Sequence, residues 1–327
     1  MPRSWRPSAA MATLRQRAAI IVALRAYFDG QGVCEISTPV LSPYATTEPT
    51  LVNLTLESPF EPARRWYMRT SPEAAMKRLL ASGSGDIYQL GPVFRADERG
   101  RRHLTEFTLL EWYRLGFGLH DLMDDVEGAL RAAGLSRAIT RVRYGDLFAT
   151  HFGVQPHGLP TARLAELVAR QPAELALADL DDRPLLFDCL YACVLEPALR
   201  AAGAVFLYDF PVELRAYARL CGSAPMVAAR FELIIDGVEL ANGYHEVVDA
   251  DEQARCFADD NALRLKRGLP TVPPDQRWLA ALAAGMPLCA GVALGIERLL
   301  MTLGLGEPIN AVTSFAHELD DTDASEN

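Results

Sequence analysis

Residues 87–113, IYQLGPVFRADERGRRHLTEFTLLEWY, constrain the fold more tightly than any other stretch of this chain. Two runs rich in Tyr, Val, Phe, Thr and Leu, 87–94 and 105–113, flank a charged segment that carries Gly100 as its turn residue. The pattern predicts an antiparallel hairpin with a cationic tip. Arg95 falls where the first strand ends and Phe107 near the start of the second, so a guanidinium and a flat ring can face one ligand from adjacent strands. The acidic pair Asp97 and Glu98 lies within the basic cluster Arg95, Arg99, Arg101, Arg102 and His103. That combination suits a nucleoside triphosphate; the alternative is an ordinary surface hairpin with a solvated charge run.

With 327 residues, half of them hydrophobic, the chain can bury a large core in a single domain, 1–327, carrying an insertion. No apolar run approaches the roughly 18 to 20 residues of a spanning helix, and residues 1–10 lack the apolar stretch of a signal peptide. The six cysteines form no CxxC pair and no Cys/His spacing typical of structural zinc, which predicts reduced thiols in a cytoplasmic protein without membrane partners. A net charge of −10 argues against a protein that lives on nucleic acid. The basic cluster is then an island, assigned to phosphates, with nucleic-acid contact as the other reading.

Along the chain, Leu14, Ala18, Ile21, Leu24 and Phe28 repeat at helical spacing until Gly30 and Gly32. Ser71 as N-cap and Pro72 at the first helical position open a second helix, with Ala75, Met76, Leu79 and Leu80 on its apolar face. Residues 119–203 read as a helical insertion, in which Pro197 and Gly203 end the stripe Leu186, Leu190, Val194, and His151 and His157 sit in loops. Strands are expected at 204–210, 227–235 and 238–242, the last two joined by an Asp236-Gly237 turn. A capped helix covers 249–266, and a buried strand, 288–294, runs into a helix with Arg298 in its first turn. A cation there opposes the helix dipole unless an anion neutralises it. The acidic end, 318–327, is expected to be disordered.

The sequence FRADERGRRHLTEFTLLEWYR resembles motif 2 of class II aminoacyl-tRNA synthetases in its lysyl form. GVCEISTPVL (32–41) resembles motif 1 and GVALGIERLL (291–300) motif 3, while TSPE (70–73) and ELANGYHE (239–246) resemble the family's amino-acid and ATP segments. The three motifs keep the family's order across most of the chain. Within this superfamily the chain is most similar to the stand-alone lysyl-tRNA synthetase paralogues that attach (R)-β-lysine to a lysine of translation elongation factor P. The resemblance implies an α+β fold, the class II catalytic core: a mixed, mostly antiparallel sheet flanked by helices. It implies ATP as cosubstrate with Mg2+, and a homodimer through motif 1; by pattern alone that helix packs equally well on its own core.

By the same resemblance, Arg95, Ala96, Asp97, His103, Leu104, Phe107, Glu239, Leu240, Gly295 and Arg298 form the ATP site, with Arg95, Glu239 and Arg298 catalytic. Glu239 and Glu246 would hold the metal. Ser71, Pro72, Glu73, Tyr113, Asn242, Glu246 and Ala293 would hold (R)-β-lysine or lysine. Motif 1 begins about thirty residues in, leaving no room for the roughly hundred-residue OB-fold that reads an anticodon, and Ala293 stands where lysyl-tRNA synthetases carry glycine. Both favour elongation factor P over tRNA as acceptor. Two departures stand out: Ala96-Asp97 and Leu104-Thr105 replace the family's polar residues in motif 2. A truncated synthetase that charges tRNA or activates free lysine, and a catalytically silent module of the same fold, are the alternatives.

Overall fold

The computed structural model of the chain describes residues 5–58, 60–96, 98–171 and 181–316, and the backbone alone of 61–64. Asp97 and the acidic end 318–327 lie outside the described residues. Helix α1 (Met11–Gly30) leads to the short strands β1 (Cys34–Glu35) and β2 (Leu41–Ser42), then to β3 (Thr55–Ser58) and β4 (Glu61–Met68). Helix α2 (Glu73–Ala81) precedes the predicted hairpin, β5 (Ile87–Phe94) and β6 (Glu106–Leu115). Next come α3 (Leu119–Ala132), β7 (Thr140–Arg143), α4 (Tyr144–Phe152), α5 (Thr161–Ala169), α6 (Arg183–Leu190), a π-helical turn (Tyr191–Leu195) and α7 (Glu196–Ala202). The chain closes with β8 (Ala204–Phe210), β9 (Leu220–Cys221), β10 (Val227–Ile235), β11 (Val238–His245), α8 (Ala250–Lys266), α9 (Gln276–Ala283), β12 (Cys289–Gly295) and α10 (Ile296–Thr302).

The main sheet runs β1-β5-β6-β12-β11-β10-β8-β7, with β9 beside β10. Its central pairs are antiparallel, and the two parallel pairs, β1/β5 and β7/β8, lie at its edges. A smaller antiparallel sheet, β2-β4-β3, stands apart. Period-2 alternation sorts the main sheet's faces. In β6, Leu110 and Trp112 enter the core against Leu24 and Phe28 of α1 and Leu122, Val126 and Leu130 of α3, whereas Phe107, Leu109, Glu111 and Tyr113 face an open cavity. Strand β12 repeats the rule, with Ala290, Val292 and Leu294 in the core and Gly291, Ala293 and Gly295 lining the cavity.

Strand β11 obeys the rule only because it breaks register. Asn242 pairs with Glu232 and Ala241 with Leu233, but Ile234 faces Glu239, which leaves Leu240 unpaired as a β-bulge. The extra residue reverses parity, so Glu239 shares the cavity with Asn242 and Tyr244.

Three expectations need correction. The segment 119–203 contains a strand, β7, which pairs with β8 as an edge. Its residues Thr-Arg-Val-Arg carry no apolar run, so nothing local signals a strand. Pro197 does not end the helical run: it sits in the first turn of α7, directly after a π-helical turn, where the regular hydrogen-bond ladder is already broken and a missing N–H is tolerated. His151 lies in the last turn of α4, not in a loop. The Asp236-Gly237 turn forms as anticipated, both residues at positive φ (52° and 77°), the two-residue geometry that matches strand twist.

Candidate active site

The cavity on the open face of the sheet holds about 760 Å³ and is lined on the side away from the sheet by residues between 38 and 53. It has a cationic end and an acidic end. Arg95, Arg102, His103, Leu104, Phe107, Glu239, Leu240, Gly295 and Arg298 line the first. Arg95 leaves β5 at the hairpin tip, its guanidinium 5.1 Å from the Phe107 ring centre and its Nη1 3.0 Å from Glu98. Arg298 donates to the Glu239 carbonyl at 2.8 Å and lies 2.7 Å from His103 Nε2. Burial and the Arg298 charge lower the His103 pKa, so its ring is neutral and free to accept. Three separated segments thus bring two guanidiniums, a neutral imidazole and the Glu239 backbone to one end of the cavity.

Not every predicted nucleotide residue joins them. Ala96 does not line the cavity; its N–H donates to Val52 O at 2.9 Å, tying the hairpin tip to the 38–53 segment. Arg99 and Arg101 point to solvent, so the cationic island divides between cavity and surface. Glu297, in the first turn of α10, accepts the Thr108 N–H at 2.9 Å and pairs with Arg17 of α1 at 3.0 Å.

The acidic end is lined by Ser71, Pro72, Glu73, Glu111, Tyr113, Asn242, Glu246, Gly291 and Ala293. Ser71 sits one residue outside its expected place, because Pro72 occupies the N-cap of α2. Its Oγ accepts the Glu73 N–H at 3.0 Å and donates to Glu111 Oε2 at 2.7 Å, so one hydroxyl both starts the helix and orients a carboxylate. Tyr113 donates to the other Glu111 oxygen at 2.8 Å. Burial, reinforced by Glu73, pushes Glu111 up to about 7. Gly291 makes room for this cluster: a Cβ there would meet Tyr113 at 2.3 Å and Glu246 Oε1 at 2.6 Å.

The metal pair expected at Glu239 and Glu246 is not brought together. Seven residues of strand separate them by about 20 Å, and Glu246 is bound to Lys77 Nζ at 2.6 Å. No cluster of three metal-ligating side chains occurs among the described residues. Glu239 fits Mg2+ differently: its carboxylate is exposed in the cavity and makes no ion pair among the described residues. One carboxylate plus substrate phosphates is a common way to hold that ion.

Glu111 and Lys77 were missed from the letters, although both were within reach. Glu111 precedes Tyr113 by two residues on the same strand face, and Lys77 follows Glu73 by four on α2.

The family model for class II tRNA synthetases (D, K and N) matches residues 3–319. The chain belongs to this family. Among its curated relatives is the elongation factor P (R)-β-lysine ligase of Vibrio vulnificus strain YJ016, 41% identical over 323 residues, covering 96% of this chain and 98% of that protein. The proteins of the same name from Vibrio cholerae and Pasteurella multocida strain Pm70 are each 41% identical over 319 residues, covering 95% and 97%, and 96% and 98%, respectively. As a class II synthetase core, the mixed sheet presents motif 2 on β5 and β6 and motif 3 on β12 and α10. No helix among the described residues is long and apolar enough to cross a membrane.

Proposed function

We propose that this protein activates (R)-β-lysine with ATP and transfers it to the ε-amino group of a lysine on elongation factor P. The observation that carries the reading is the cavity's two-ended charge, arginines at one end and three carboxylates at the other, on one sheet face. A triphosphate and a diamino acid are the complementary pair.

The first step is in-line attack of the amino acid's carboxylate on the α-phosphorus, expelling pyrophosphate. Two anions must meet, so the demand is for positive charge and positioning rather than for acid or base. Arg95 would bear on the α-phosphate and Arg298 on the terminal phosphate, with Phe107 against the adenine once Arg95 turns to the phosphates. Mg2+ held at Glu239 would add charge to the leaving phosphates. Glu73, Glu111 and Glu246 would seat the ammonium groups, and the Ala293 methyl, between Asn242 and Glu111 in the sheet, would narrow the pocket between them. In the second step the acceptor amine, with an ordinary pKa of about 10.4, loses its proton and attacks the carbonyl carbon; the bond to phosphate breaks and AMP leaves.

The reading extends to a homodimer formed through motif 1 and the helix α1 that leads into it, whose Met11 and Val22 are 58% and 65% exposed, and to a cytoplasmic enzyme whose six cysteines are all free. Incubation with ATP, (R)-β-lysine and elongation factor P, followed by intact-protein mass measurement, tests it. One lysyl increment on elongation factor P is expected. No increment, with acylation of tRNA in a parallel reaction, contradicts it.

A further inference from the structure

One charged group at the acidic end is unused by the chemistry above. Lys77 is fully buried, does not line the cavity, and lies behind its wall with Nζ 2.6 Å from both Glu73 Oε1 and Glu246 Oε2. The Trp278 ring of α9 closes over it, 4.8 Å away. Burial alone would push this ammonium down, but Glu246 and Glu73 outweigh burial and hold it charged. Burial also pulls Glu246 toward the neutral acid. A buried ammonium left alone would cost more than the paired ions, so the pair is ionised.

Resting on the function proposed above, we infer that Lys77 is a positioning residue. Its ammonium holds the Glu73 and Glu246 carboxylates together at the pocket wall and cancels one of three carboxylate charges. What remains matches the two ammonium groups of a diamino acid. Lys77 follows Glu73 by four residues on α2 and meets Glu246, the residue immediately after β11. The other titratable groups facing the cluster are Glu111 and Tyr113 from β6 and Cys289 from β12; Tyr217 and Tyr244 also feel Glu73. These are neutral or anionic; the Arg69 guanidinium also bears on Glu111, and Lys77 is the cation that pairs with Glu73 and Glu246.

Pyrophosphate exchange measured from pH 5.5 to 9.5 tests the inference, with KM resolved for amino acid and ATP. Substrate ammonium binding needs ionised carboxylates, so 1/KM for the amino acid falls on the acid side. Without the neighbouring cation the carboxylate pKa values rise, and in Lys77→Met this limb should move upward by about one to three pH units. The expected result is a KM at least tenfold higher at pH 7 that recovers toward pH 9, with the ATP KM unchanged. An unmoved limb, or kcat and both KM values altered alike at every pH, overturns the inference. Lys77→Met/Glu73→Gln removes the cation with one carboxylate, which keeps the test open if the single variant does not fold. Its limb should return close to that of the unaltered protein, and a limb still displaced also overturns the inference. Absence of exchange in the unaltered protein would instead sink the function proposed above.

Discussion

The two ends of the cavity are built on opposite plans. The cationic end is open and held by few contacts: Arg298 leans on a carbonyl and a neutral histidine, Arg95 on Glu98, and the Glu239 carboxylate faces solvent. The acidic end is shut. Glu111, Glu246 and Lys77 are at most 3% exposed, and hydroxyls from Ser71 and Tyr113 hold Glu111 in place. A triphosphate brings its own charge and its own cation, so its site needs only donors placed along its path. A small diammonium ligand is recognised by desolvated carboxylates, which must be fixed before it arrives.

The contrast breaks most readily at the open end. Arg95→Ala should lower pyrophosphate exchange by about a hundred- to a thousand-fold, the loss typical of removing one donor to developing charge, while thermal unfolding changes little. A tenfold loss or less would show that Arg95 is a bystander beside Phe107. At the shut end, Gly291→Ala should raise the amino-acid KM by about a hundredfold or more, because its methyl needs space already filled by Tyr113 and Glu246. An unaltered KM would mean the pocket is looser than its contacts imply.

Glu111 gives a test by pH. Its folded pKa, about 7, lies above the ordinary glutamate value, so the ionised form destabilises the empty protein above pH 7 and the penalty fades as pH falls through 7. Glu111→Gln should therefore raise the unfolding temperature of the ligand-free protein at pH 8 more than at pH 5, and weaken amino-acid binding at both. A larger gain at pH 5 would reverse the assigned shift. The smallest effect is expected from Ala293→Gly, which removes one methyl: preference for (R)-β-lysine over α-lysine should change by about tenfold. An identical substrate profile would remove Ala293 from the selectivity account.

The open end was the more legible in sequence. The alternating β5 and β6 runs and the charged tip between them are local signals, and Arg95, Phe107 and Arg298 follow from them once the family motifs are placed. The Leu240 bulge, which carries Glu239 onto the cavity face, left no local mark, because a one-residue slip is decided by pairing partners rather than by the strand's own letters. The family resemblance coupled Glu239 to Glu246, whereas the fold pairs Glu246 with Lys77 and leaves Glu239 exposed in the cavity. Strand β7 was invisible because its edge position, and not its composition, makes it a strand.

The central claim is that one cavity reads two substrates with separable halves. Pyrophosphate exchange by Glu246→Gln, with KM determined separately for (R)-β-lysine and ATP, tests it most directly. The account predicts an amino-acid KM raised by about a hundredfold, the loss of one buried charge partner, with the ATP KM within about twofold of the unaltered protein. Equal changes in both constants, or none in either, would contradict it.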